Sequence, residues 1–135
     1  MSVGKSGQRA AGRGAGGGER RLRARVWVES EGSTAILTEA GADLLEQIEA
    51  CGSLSEAARR LRYAYRRAWL LVDGLNKGWE GPLVETAAGG KRGGGTVLTE
   101  YGRAVLAAYR EVQLQVEHAL DEAGRDFQAG TRRKE

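Results

Sequence analysis

Between Ser53 and Arg67 the chain carries five arginines, Arg59, Arg60, Arg62, Arg66 and Arg67, against one acid, Glu56, a local balance of +4. Guanidinium groups at that density make ion pairs and forked hydrogen bonds with phosphates or with the edges of bases. No comparable set of residues points to catalysis. The single histidine, His118, lies between Glu117 and Ala119, Cys51 has no base near it in sequence, and the carboxylates are scattered singly. One cysteine without histidine neighbours provides neither a disulfide nor a zinc site. The expectation is a protein that is not an enzyme, holds no cofactor or metal, and works by binding.

The arginines need rigid elements to aim them, and the segment Cys51 to Asn76 reads as two short amphipathic helices joined by a tight turn. In the first, Leu54, Ala57, Ala58 and Leu61 follow the i, i+3, i+4, i+7 spacing of one buried face, with Ser53 as N-cap and Glu56 three residues on. After a break near Arg62 and Tyr63, Ala68, Leu71, Val72 and Leu75 form the inner face of the second, and Tyr65, Arg66 and Trp69 fall on or near an outer one. This is the pattern of a helix-turn-helix with cationic and hydrogen-bonding side chains at the start of its second helix, where a major groove is read. A solvated charged face is the competing reading for Arg59, Arg60 and Arg62, and it is preferred for each. Burial is preferred for Trp69 because of its bulk.

The frame around this motif is small. At 135 residues and 41% hydrophobic content, the chain has the material for one modest core, and 6% aromatic residues make that core aliphatic and helical in character. The net charge of +3 is uneven: residues 1–25 carry seven basic residues and one acid, so the rest of the chain sums to −3. Residues 1–22 read as a disordered, basic arm rich in glycine and arginine, suited to phosphate attraction or to no role beyond solubility. No apolar run approaches a membrane span and no signal-peptide core is present, so the chain reads as cytoplasmic.

Order is expected from Arg23, with alternation around Val26 and Val28, a turn at Glu31-Gly32-Ser33, and a return strand from Thr34 to Leu37. Thr38 then caps a helix whose face is Leu44, Leu45, Ile48 and Cys51, ended by Gly52. Beyond Asn76, Leu83 to Thr86 and Thr96 to Leu98 read as paired strands around GGKRGGG, a tip whose glycines allow close backbone approach and whose Lys91 and Arg92 reach along a duplex or into a minor groove. A phosphate-cradling nucleotide loop is rejected because the strand-GxxxxGK[ST]-helix context is missing. A plain flexible turn is the other alternative.

Taken in order, ACGSLSEAARRL, YRRAWLLVDGLN, PLVET, GGKRGGGTVLT and YGRAVLAAYR resemble the N-terminal winged-helix domain of the ModE family of molybdate-responsive transcription regulators, whose helix-turn-helix is related to that of LysR-type regulators. The resemblance covers about Ala50 to Tyr109. It implies a mainly α fold with a small β wing, and a sequence-specific, double-stranded DNA-binding regulator of genes for molybdenum uptake or molybdoenzymes. It implies DNA contacts by Ser53, Ser55, Tyr65, Arg66, Arg67, Lys91 and Arg92. Ala64 stands where the family commonly has serine. The residues after Tyr109 do not read as the family's molybdate-binding barrels, so the expected form is DNA-binding only. Sensing then falls to a separate molybdate-binding partner, to abundance alone, or to nothing.

The last helix is expected from Thr99 to about 124, with residues 125–135 a flexible tail. Val105, Tyr109, Val112, Val116, Ala119 and Ala123 are spaced 4, 3, 4, 3, 4, the seam of a coiled coil, with Leu106 and Leu120 beside it. A homodimer on a pseudo-palindromic operator follows, with the winged helix-turn-helix at residues 23–98 and a dimerisation helix at 99–124. The alternative is that the seam folds back on its own domain. The alternative function is a winged-helix module that binds DNA non-specifically, or binds a protein or RNA partner, without response to molybdate.

Overall fold

The computed structural model describes residues 20–32, 35–86 and 95–133. Its elements run β1 (Val28–Glu29), β2 (Ala35–Leu37), α1 (Glu39–Cys51), α2 (Leu54–Leu61), α3 (Tyr65–Lys77), β3 (Val84–Thr86), β4 (Thr96–Leu98) and α4 (Glu100–Thr131). This is a winged helix-turn-helix followed by a long C-terminal helix. Two compact units divide it, one formed by Val26–Glu111 and the other, among the described residues, by 20–25 with 112–133.

In the Val26–Glu111 unit the core is aliphatic. Leu37, Leu44, Leu45, Ile48, Leu83 and Leu98 are almost completely buried, each worth about 1.5–3 kcal/mol of removed apolar surface. Ala57, Ala58 and Ala68 join them, and small side chains at these positions let α2 and α3 pack closely. The inner faces of α1, α2 and α3 are those expected from spacing. The first strand is shorter than the alternation suggested: the Val26 carbonyl accepts a hydrogen bond from the Tyr109 hydroxyl at 2.6 Å, and strand pairing begins only at Val28, opposite Leu37.

One capping device recurs. Thr38 Oγ1 accepts from the Gly41 amide at 3.2 Å, and Thr99 Oγ1 accepts from the Gly102 amide at 2.8 Å. The two sites stem from the repeated words LTEAG and LTEYG, each a strand running into a capped helix. At the second, the approach is so close that a Cβ on Gly102 would lie 2.1 Å from the Leu83 carbonyl oxygen, so only glycine fits.

The strands β3 and β4 pair antiparallel as Val84↔Leu98, Glu85↔Val97 and Thr86↔Thr96, forming the base of the wing. Three residues, Asn76, Thr96 and Thr99, tie that base to the rest of the fold. Asn76, on α3, accepts from the Leu83 and Val84 amides at 2.9 and 3.0 Å and donates to the Val84 carbonyl at 3.0 Å. Thr99 donates to the Pro82 carbonyl at 2.8 Å. The Thr96 amide donates to the carbonyl of Gly52, the left-handed residue that ends α1, at 2.9 Å.

The helix α4 extends to Thr131, past the end near residue 124 that its composition suggested. In the unit it enters beyond Glu111, Gln128 donates to the Arg20 carbonyl. No helix is long and apolar enough to cross a membrane among the described residues.

Candidate nucleic-acid interface

Helix α2 starts at Ser53, whose Oγ accepts from the Glu56 amide at 3.0 Å. Glu56 itself turns outward: Arg59 donates to its two carboxylate oxygens at 3.1 and 2.6 Å and Arg60 donates at 3.2 Å. The hydrogen bond from Arg59, then that from Arg60, holds the Glu56 carboxyl below the usual carboxylate range. Arg60 also donates to Gln47 at 3.2 Å. These two arginines share one carboxylate and face solvent, a paired set that keeps one net positive charge, in agreement with the solvated-face reading.

The turn that follows is three residues long. Arg62 adopts φ 62°, the left-handed conformation, and among the described residues no other non-glycine residue has a positive φ. Its amide and that of Tyr63 reach back to carbonyls of the last turn of α2, Arg59 at 3.1 Å and Ala58 at 2.9 Å, a C-terminal closure that glycine ordinarily supplies. Tyr63 is half-buried, and burial raises its phenol pKa, with Asp43 contributing. Arg67 lies over the Tyr63 ring at 4.3 Å from its centroid. A guanidinium held over an aromatic face keeps its charge and loses freedom, so Arg67 is braced against the turn.

Helix α3 then begins at Tyr65 behind Ala64, which gives no side-chain cap, and no acid occupies its first turn. Its first amides receive no side-chain cap, and a helix dipole favours an anion at such an end. Tyr65 is exposed, and Arg66 is exposed and forms no ion pair with any described residue. The inner face is Ala68 and Leu75, with Leu71 and Val72 half-buried. Trp69, expected inside, is 50% exposed and Leu70 beside it is 49% exposed. The correction for Trp69 follows from helical geometry: alanine at 68 and leucine at 75 define the buried side, and the next position after Ala68 is turned about 100° away from it. At the far end of α3, Lys77 neutralises Asp73 at 2.9 Å.

The structure places Ser53 at the N-cap of α2, Ser55 exposed on the first turn of α2, and Tyr65, Arg66 and Arg67 on the first turn of α3. Lys91 and Arg92 lie outside the described residues. Sequence reasoning passed over Leu70, Asn76 and the neutralising role of Glu56. The Leu70 signal was available, since it sits opposite the Ala68–Leu75 face. Asn76 gave none, because its partners are backbone groups of a later strand.

The expected seam on α4 divides. Val105 and Tyr109 are buried in the core of the Val26–Glu111 unit, so for these two residues the fold-back alternative is the correct one: a 4, 3 spacing looks the same whether a helix faces its own domain or another chain. Arg110 and Arg103 on the same helix are engaged with α1. Arg110 pairs with Asp43 at 2.9 Å and with Glu46, and Arg103 with Glu49 at 3.0 Å. Val112 and Leu114 remain exposed, as does Phe127, with Val116 half-buried and Ala119 exposed.

Comparison with known proteins places this geometry. No family model matches the chain. It is 41% identical over 101 residues to the molybdenum transport protein ModE of Azotobacter vinelandii, a stretch that is 75% of this chain and 37% of that protein. It is 41% identical over 77 residues to the transcriptional regulator ModE of Haemophilus influenzae, 57% of this chain and 30% of that one. Over 66 residues it is 42% identical to the DNA-binding transcriptional dual regulator ModE of Escherichia coli K12, 49% of this chain and 25% of that one. The chain spans about a third of the length of the curated relatives it matches. The matched stretch, which includes the winged helix-turn-helix, is similar to three proteins named ModE at 41–42% identity.

Proposed function

We propose that this chain is a sequence-specific, DNA-binding transcription regulator acting on genes of molybdenum uptake or molybdoenzyme use. The observation that carries the reading is α3: an uncapped N-terminus, an exposed Arg66 without an ion-pair partner among the described residues, and Tyr65 beside it, on a helix set against a wing base by Asn76. Such a helix end offers hydrogen-bond donors and positive charge together, which is what base edges and phosphates in a major groove accept. The molybdenum connection rests on the names of the relatives.

In this reading Arg66 makes base contacts, Arg67 and Tyr65 hold phosphate or sugar, Ser53 and Ser55 approach a phosphate at the start of α2, and Lys91 and Arg92 extend along the duplex. Two copies pair through the α4 residues that the core leaves uncovered, Val112, Val116 and Ala119, and read an inverted repeat.

Selection of bound sequences from random duplex DNA, at fixed near-physiological salt with and without molybdate, tests this. Enrichment of an inverted repeat supports the regulator. Binding without any motif, falling steeply with salt for all sequences, replaces it with a non-specific DNA coater. A molybdate-dependent shift in affinity would place sensing in this chain, and an unchanged affinity would place it elsewhere.

A further inference from the structure

Two apolar side chains on α3 lie outside the core. Leu70 and Trp69 are half-exposed, and Leu70 lies one turn after Arg66 on the side of the helix opposite Ala68 and Leu75. A leucine facing water between Arg66, which has no ion pair among the described residues, and the neutralised Asp73–Lys77 pair is an apolar contact point inside a cationic face. The surface that complements it is anionic overall and carries isolated apolar groups at the depth a helix reaches. The major groove of DNA is such a surface, because its only apolar projections are the 5-methyl groups of pyrimidines.

We propose that α3 reads a pyrimidine 5-methyl group through Leu70, with Trp69 packed at its side, next to the base contacted by Arg66. The inference rests on the DNA-binding reading above and deepens it, by adding an apolar specificity residue to a hydrogen-bonding one. The same methyl group is presented by thymine and by 5-methylcytosine, and both are within the proposal.

The test uses the full chain and the motif obtained by selection. Each thymine is replaced singly by uracil, which removes only the methyl group, and each cytosine singly by 5-methylcytosine. One replacement per half-site is expected to change affinity about fourfold, the worth of burying one methyl group. Loss with uracil assigns the methyl to thymine, and gain with 5-methylcytosine assigns it to the modified base. Either effect should disappear in Leu70→Ala, shrink in Trp69→Ala and persist in Leu70→Met, whose side chain keeps the apolar reach. Both truncations are at half-exposed positions, and circular dichroism with thermal melting verifies that each variant is folded.

Uracil tolerated at every position with 5-methylcytosine neutral overturns the inference while leaving the regulator reading in place. So does a uracil penalty of the same size in Leu70→Ala. Leu70→Ala binding all sequences as well as the parent assigns this face to a partner other than DNA and also overturns it. If selection yields no motif at all, the regulator reading falls first and the inference with it.

Discussion

The two helices of the helix-turn-helix hold arginines in similar number and use them in opposite ways. On α2, Ser53 caps the backbone and Glu56 gathers Arg59 and Arg60, so the helix satisfies its own end and pairs both of its arginines. On α3, Ala64 provides no side-chain cap, the first turn has no acid, and Arg66 is left without an ion pair among the described residues. A count of arginines treats the helices alike. What separates them is one carboxylate, placed three and four residues before its partners, where side chains on a helix meet.

The largest effect that follows is on specific binding. Arg66→Ala should lower affinity for a selected site by about ten- to a hundredfold, the worth of a good bidentate contact to a base, and should relax preference at one position of each half-site. Arg59→Ala should change the same affinity by less than about twofold. Titration of both variants against the selected duplex and a scrambled one checks the contrast, and equal losses would erase the distinction between the two helices.

A reciprocal pair of substitutions tests the caps. Ser53→Ala removes an accepted hydrogen bond at an N-terminus and should destabilise the fold by about 1 kcal/mol. Ala64→Ser offers α3 the cap it lacks and should stabilise by a similar amount, at the expense of an amide otherwise available to a phosphate. Thermal melting reads the stability, with a shift of about 4–8 °C per kcal/mol for a domain of this size, and DNA titration reads the exchange.

The comparison also shows why some of the molecule could be read in the sequence and some could not. Helices, caps and turns came through because each rests on residues close in the chain: Thr38 with Gly41, Ser53 with Glu56, Ala57 and Ala58 on one face. The base of the wing came through as two apolar stretches around glycines. What the sequence concealed depends on contacts distant along the chain or on a choice between equal faces. Val105 and Tyr109 have the spacing of a dimer seam, and their burial is decided by the core they meet, including the backbone of Val26. Trp69 was assigned inside by its size, yet the inner face was already occupied by Ala68, Leu71, Val72 and Leu75. Arg67 could not be told from Arg66 until the Tyr63 ring was seen beneath it.

The turn between the helices gives a smaller test. Arg62 holds a left-handed conformation that disfavours any residue with a Cβ by about 1–2 kcal/mol, and glycine would return part of that as chain entropy. Arg62→Gly should therefore gain about 0.5 kcal/mol of stability. If the side chain holds a phosphate beside α3, the same substitution should weaken binding to all duplexes alike and make the salt dependence shallower, by about one unit of slope. Gain in stability with no change in binding would return Arg62 to the solvated face.

The mildest change should convert α2 into a helix more like α3. Glu56→Gln keeps the side-chain volume and the Ser53 cap, whose donor is the backbone amide, but removes the charge that holds Arg59 and Arg60. Stability should move by less than about 0.5 kcal/mol, because exposed ion pairs contribute little. Non-specific affinity should rise two- to fivefold near physiological salt, and log K against log salt should steepen, since two freed guanidinium groups now displace counterions from the duplex. The preferred sequence should stay the same, because α3 is untouched. A change of preference would mean that Glu56 orients a base-reading side chain, and the division of labour between a self-paired α2 and an open α3 would then have to be abandoned.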